Sequence, residues 1–298
     1  MKEKGNRILY SRGENIFAVF NYIFLGLIAF LCFYPMLYVL FASFSSDRLL
    51  MQHSGLLLKP LGFSVAAYGM VFKNPMILLG YRNTLFILII GVLLCLLMTS
   101  LGAYFLSRKN VFFKKPIMLA ITFTMFFSGG MIPAYLNLRD LHLTNTLWGL
   151  IIPGAISTYN MIIMRTSFMT IPESLTEAAL IDGAGHIRVL FSIVLPLSQA
   201  VIAVMILYYG IGIWNSWFWA SAILRNRELY PLQVVLREIL LQNSAIEMAS
   251  GVDTGDQESV ANTIKYATII VATVPILCIY PFLQKYFARG VMIGGVKE

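Results

Sequence analysis

The sequence predicts an all-α protein that crosses a membrane several times. Three observations lead there. Of 298 residues, 58% are hydrophobic and only 12% charged, whereas a soluble domain carries about 25% charged residues. The apolar residues gather into six long runs, and about 20 apolar residues suffice for a helix to cross a bilayer. Basic residues crowd alternate polar stretches, the asymmetry that cytoplasmic loops display.

The first fifteen residues carry Lys2, Lys4, Arg7 and Arg12, and an apolar run follows over 16–42. That run is too long for the 7–15-residue apolar core of a signal peptide, so it reads as a retained first membrane helix with Pro35 as a kink point. Residues 43–82 are mixed, broken by Pro60 and Pro75, and read as an outside loop with short helical pieces. The second run, 83–106, ends at Arg108-Lys109 and Lys114-Lys115, a basic loop with no acidic residue. The third, 116–136, contains Ser128-Gly129-Gly130 and Pro133. No Gly-x-x-x-x-Gly-Lys-Ser/Thr motif occurs, so these glycines serve close packing or a local break rather than phosphate binding. The fourth run covers 147–164, with Arg165 at its inner end. The fifth covers 197–224 and the sixth 263–282. Between those two lies a second outside segment, 225–262, with a surface helix over 232–242.

Six crossings place both termini on one side, and the charge bias makes that side the cytoplasm. The domain reading is a cytoplasmic N-terminal segment 1–15, a six-helix membrane domain 16–283 and a cytoplasmic tail 284–298. The net charge of +8 is scattered around apolar runs, which argues against nucleic acid as a partner. Cys32, Cys95 and Cys278 each lie inside an apolar run, with no pairing or metal spacing. The three histidines are isolated, and no metal or cofactor site is expected.

The polar segment 166–196, between the fourth and fifth runs, stands apart. Ser174-Leu175-Thr176-Glu177 fits a capping box, Ala178 and Ala179 favour helix with a slim surface, and Gly183 can end it in a left-handed conformation. A second short helix fits 186–194, with Pro196 opening the fifth membrane helix. Residue physics leaves two readings open: an amphipathic loop on the membrane, or a docking element. On the fifth run, Trp214, Asn215 and Trp217 could line a polar pathway, as could Asn160 on the fourth. Such aromatic side chains also anchor helices at membrane interfaces. Asn215 is costly to expose to lipid. An intramembrane enzyme would need clustered nucleophile, base or carboxylates inside the runs, and these runs hold almost no acidic residues. A membrane scaffold would have no need of a docking loop.

Glu177-Ala178-Ala179, Asp182-Gly183-Ala184 and Ile193-Val194-Leu195-Pro196 together resemble the EAA loop of membrane subunits of ATP-binding-cassette (ABC) importers. Ala200 departs from a proline common in that family. Tyr81-Arg82-Asn83-Thr84-Leu85 resembles the entry to the second helix of sugar permeases. Phe127 to Pro133, Trp214 to Phe218, Tyr230 to Gln233 and Gly290 to Lys297 resemble the oligosaccharide-importing branch. The resemblance implies a type I importer permease fold in the cell membrane and half of a translocation pathway for sugars, oligosaccharides above all; another polar solute is the alternative. It implies a non-enzymatic subunit whose partners are a second permease, a cytoplasmic ATPase dimer that binds ATP and magnesium, and an extracytoplasmic binding protein. Glu177, Ala178, Ala179, Asp182, Gly183, Ala184, Leu195 and Pro196 would form the surface that the ATPase pushes.

Overall fold

The computed structural model describes residues 12–249, 263–279 and 281. Most of the N-terminal segment 1–15, much of the second outside segment and the tail 284–298 lie outside the described residues. Helices form throughout, and no strand occurs among the described residues. The chain divides into two compact units, 1–71 with 243–270 and 72–242 with 271–298.

The first unit is led by α1 (Arg12–Ser43), which runs through Pro35 as one helix. Its 32 residues extend about 48 Å, and its most apolar window has no buried residue. The segment after it folds back on its end. Leu57 N donates to Tyr34 Oη at 2.9 Å and Leu61 N to Ser45 Oγ at 3.0 Å, while Ser43 and Tyr68 share a 2.7 Å hydrogen bond. Ala42, Leu50 and Leu57 form the small core beneath.

In the second unit the organising element is α2 (Pro75–Ser107). Asn74 caps it by accepting from Met76 N at 3.0 Å, with Pro75 in the first turn, where a missing N–H costs nothing. α3 (Lys114–Phe123) and α4 (Met131–Asp140) divide the third run, and Gly130 supplies the break at φ 86°. The fourth run is likewise divided. A single turn over Trp148–Ile151 precedes Pro153 and Gly154, and α5 (Thr158–Phe168) starts afresh with Ser157 as its cap. α6 (Glu173–Ile181) leads through short helical turns to Leu197, and α7 (Gln199–Trp214) follows after an 88° bend. α8 (Leu232–Ala249) starts in this unit and α9 (Thr263–Ile279) ends in it. α5 and α7 pack along α2. Leu106, Met164, Val189, Leu190, Val194 and Met205 are almost fully buried where these elements meet.

Two boundaries correct the sequence reading. Pro196 does not open the fifth membrane helix. It belongs to the short turn Leu195–Leu197, and the chain swings at Ser198 before α7 begins. The fifth run also does not continue to 224, because α7 stops at Trp214 and a new short helix spans Phe218–Ile223. Apolar composition marks contact with lipid or core, while the breaks are set by which carbonyls and N–H groups find partners. The helix from Leu232 is no surface helix either: Leu232, Val234, Val235 and Leu236 are buried. Among the described residues, two helices are long and apolar enough to cross a bilayer alone, or three if the bent pair counts as one span.

Candidate functional site

The segment 166–196 is built as a largely exposed helix, α6, followed by short turns whose Val189, Leu190 and Val194 are buried in the core. Pro172 precedes α6, and neither Ser174 nor any other side chain caps its start. The expected capping box is therefore absent. The helix begins at Glu173, one residue before Ser174, so the Ser174 hydroxyl already lies inside the first turn. The C-terminal end follows expectation. Gly183 has φ 84°, Ala184 N donates to Ala179 O at 2.9 Å, and Gly183 N donates to Leu180 O at 3.0 Å. This is a Schellman closure, which satisfies carbonyls the helix leaves free. Glu177, Ala178, Asp182 and Gly183 are exposed, as are Leu175, Leu180 and Ile181. Ala179 and Ala184 turn toward the core, and Leu195 packs there too, while Pro196 is exposed.

Only Thr176 of α6 is fully buried. Its hydroxyl donates to Glu173 O at 2.8 Å and accepts from Arg108 Nη1 at 3.0 Å. The Arg108 guanidinium lies 4.4 Å above the Tyr104 ring, and that ring also meets His186 at 6.4 Å. Lys109 forms an exposed ion pair with Glu173, which holds the lysine's pKa above its usual value, first by the hydrogen bond and then by charge. Arg165 Nε donates to Leu106 O at 3.0 Å and Lys114 Nζ to Arg108 O at 2.7 Å. Cations thus cap the C-terminal carbonyls of α2, where the helix dipole favours them. Burial, then Arg165 and Arg108, lowers the pKa of Lys114.

The four residues expected along a pathway are not gathered together. Asn160 is buried in a cavity of about 180 Å³ with Ser157, Tyr208 and Tyr209. Trp214 is buried beside Tyr81, its Nε1 without an acceptor, and lines a separate apolar groove of about 350 Å³. Trp217 is half-exposed under Arg237, 4.2 Å from its ring, and Asn215 is exposed at the end of α7. A larger cavity of about 520 Å³ takes Thr84, Asn137, Ser216 and Trp219 instead. It shares Gly154 and Gly212 with the Asn160 cavity. Among the described residues no group of three potential metal ligands occurs.

No protein-family model matches the chain. It is 39% identical over 289 residues, 95% of this chain and 99% of the relative, to the polygalacturonan/rhamnogalacturonan transport system permease protein YtcP of Bacillus subtilis. The chain belongs to the sugar permeases of ABC importers. This permease is also 38% identical to Protein LplC of the same organism, over 96% of this chain and 97% of the relative. A crystal structure of a bacterial ABC transporter involved in import of the acidic polysaccharide alginate contains a chain that is 33% identical. It superposes with TM-score 0.86, covering 94% of the permease and 99% of that chain. The permease is therefore a cell-membrane transport subunit for sugar.

Sequence reasoning found the exposed parts of the permease's polar segment and missed its anchor. Thr176 was visible only as the interior of a capping box, and Arg108 only as one charge of a basic loop. A hydroxyl between Leu175 and Glu177 gives no sign that it is buried against a residue 68 positions earlier.

Proposed function

We propose that this permease forms half of the pathway of an ATP-driven importer of oligosaccharides and that 166–196 is its coupling segment. One observation supports this best: α6 presents Glu177, Ala178, Asp182 and Gly183 on an open face while its opposite side, with Thr176 buried and Ala179 packed on the core, faces the membrane helices. A cleft on an ATPase subunit would receive that face, and its closure would push on α6. The ATPase dimer would bind ATP and magnesium, a second permease would complete the pathway, and an extracytoplasmic binding protein would deliver the sugar.

In this reading both termini are cytoplasmic and six crossings are assembled partly from broken helices. Domain limits 1–15, 16–283 and 284–298 follow from that topology. The contacts of Arg108 and Lys109 with Thr176 and Glu173 support placing the basic loop and the coupling segment on the same side. Asn160, Trp214, Asn215 and Trp217 remain candidates for the pathway wall, joined by Ser216 and Trp219. Relatives named for polygalacturonan and alginate favour oligosaccharides of acidic polysaccharides.

The test is uptake and ATP hydrolysis by the reconstituted complex. Ala178→Arg places a bulky charge on the docking face, and we expect uptake to fall about tenfold or more while the protein still inserts. Unchanged uptake would remove the coupling role. Galacturonate oligomers should stimulate ATP hydrolysis more than neutral oligomers of equal length; equal stimulation would remove the acidic preference.

A further inference from the structure

We propose that Arg108 is a positioning residue that ties the coupling helix to α2, so that α2 moves with α6. The proposal rests on the coupling role of 166–196.

Three constraints meet at this residue. Its carbonyl is held by Lys114 at 2.7 Å, its guanidinium is stacked 4.4 Å from Tyr104, and its Nη1 donates to Thr176 at 3.0 Å. Because Thr176 gives its own proton to Glu173 O, the hydroxyl's lone pair is turned to the arginine, and the bond has one sense. Tyr104 lies in the last turn of α2, four residues before Arg108 at the helix's C-cap, so stacking fixes the guanidinium without spending its donors. Lys109 is unsuited to the task, since its pair with Glu173 is solvated and screened.

α2 is suited to carry displacement. Its 33 residues form a rod of about 50 Å with hydrogen bonds along its length. At the far end Asn83 Nδ2 donates to Glu228 O at 2.7 Å and Tyr230 O at 3.1 Å, and Thr84 Oγ1 accepts from Leu232 N at 2.8 Å. Midway, Thr99 and Tyr209 of α7 share a 2.6 Å bond. Thr84 also lines the larger cavity. A push on α6 thus reaches that cavity wall through Arg108 and α2, besides the path through the bend at Ser198 into α7.

The experiment measures sugar taken up per ATP hydrolysed by the reconstituted complex. Arg108→Ala and Thr176→Val should each lower that ratio about fivefold or more, with the double variant no worse than either single one. Thr176→Ser, which keeps the hydroxyl, should restore the ratio. Arg108→Lys should not, because an ammonium lacks the planar fork. A merely structural role would instead lower the amount of complex, reducing uptake and hydrolysis together. Thr176→Val changes little volume, so it remains informative if Arg108→Ala fails to insert. A normal ratio in Thr176→Val, or additive losses in the double variant, would overturn the proposal. If Ala178→Arg uncouples while Thr176→Val does not, the coupling segment stands and only Arg108 loses its role. If Ala178→Arg leaves uptake intact, both fall.

Discussion

At the scale of single residues, several positions tolerate only what they have. A Cβ on Gly149 would lie 2.3 Å from Leu143 O and one on Gly80 would lie 3.0 Å from Leu232 Cα. Both neighbours are backbone and cannot step aside, so Gly149→Ala should sharply reduce the yield of folded protein and Gly80→Ala should lower the melting temperature. Gly183 is a different case. Nothing lies within 4 Å of a Cβ there, yet φ is +84°, and a left-handed conformation costs an L-residue about 1–2 kcal/mol. Gly183→Ala should therefore lower stability by about 1 kcal/mol, read from denaturant unfolding, and loosen the end of α6. The Lys109–Glu173 pair carries a pH argument. A raised lysine pKa stabilises fully below the unfolded value of 10.5 and is lost as pH rises through the folded value. The melting-temperature difference between Lys109→Ala and wild type should accordingly be flat between about pH 6 and pH 9 and shrink in more alkaline solution.

At the scale of elements, the apolar core of α2 is legible in the sequence, while its start and the broken helices are not. The apolar run 83–106 lies wholly within α2, but the helix starts eight residues earlier, at Pro75, inside the stretch read as an outside loop; Asn74-Pro75 is a helix cap there rather than a breaker. The third and fourth runs are just as apolar; Gly129-Gly130 signals a local break, whereas Pro153-Gly154 lies unmarked inside an apolar stretch. Hydropathy is blind to such breaks, because a proline or glycine adds little polarity while freeing backbone groups. Those groups are then satisfied from elsewhere: Cys95 Sγ donates to Gly154 O at 3.1 Å and Ser157 N donates to Tyr209 Oη at 3.2 Å. The Asn83 amide plays the same part for Glu228 and Tyr230, and it is buried. Asn83→Ala should cost about 1–3 kcal/mol, seen as a lower melting temperature of the purified complex, because two carbonyls lose a partner.

At the scale of the whole molecule, topology is the testable quantity. In a cysteine-free background, single cysteines at Asn110 and Gly183 should react with an impermeant thiol reagent only from the cytoplasmic side. One at Arg139 should react only from outside; labelling of all three from one face would reject six crossings. Composition by itself determined that the chain lives in a membrane, because a surface with so few charges cannot be solvated by water. The run of Glu177 to Pro196 by itself determined a short exposed helix closed by glycine, because such a helix is a local matter of propensity and a left-handed C-terminal turn; the proposed coupling role came from its resemblance to the EAA loop. Tertiary structure alone decided what holds that segment and where the cavities lie. Thr176 meets Arg108, and Trp214 parts from Trp219, through contacts between residues distant in sequence, whose geometry depends on where each helix breaks and how it packs on α2.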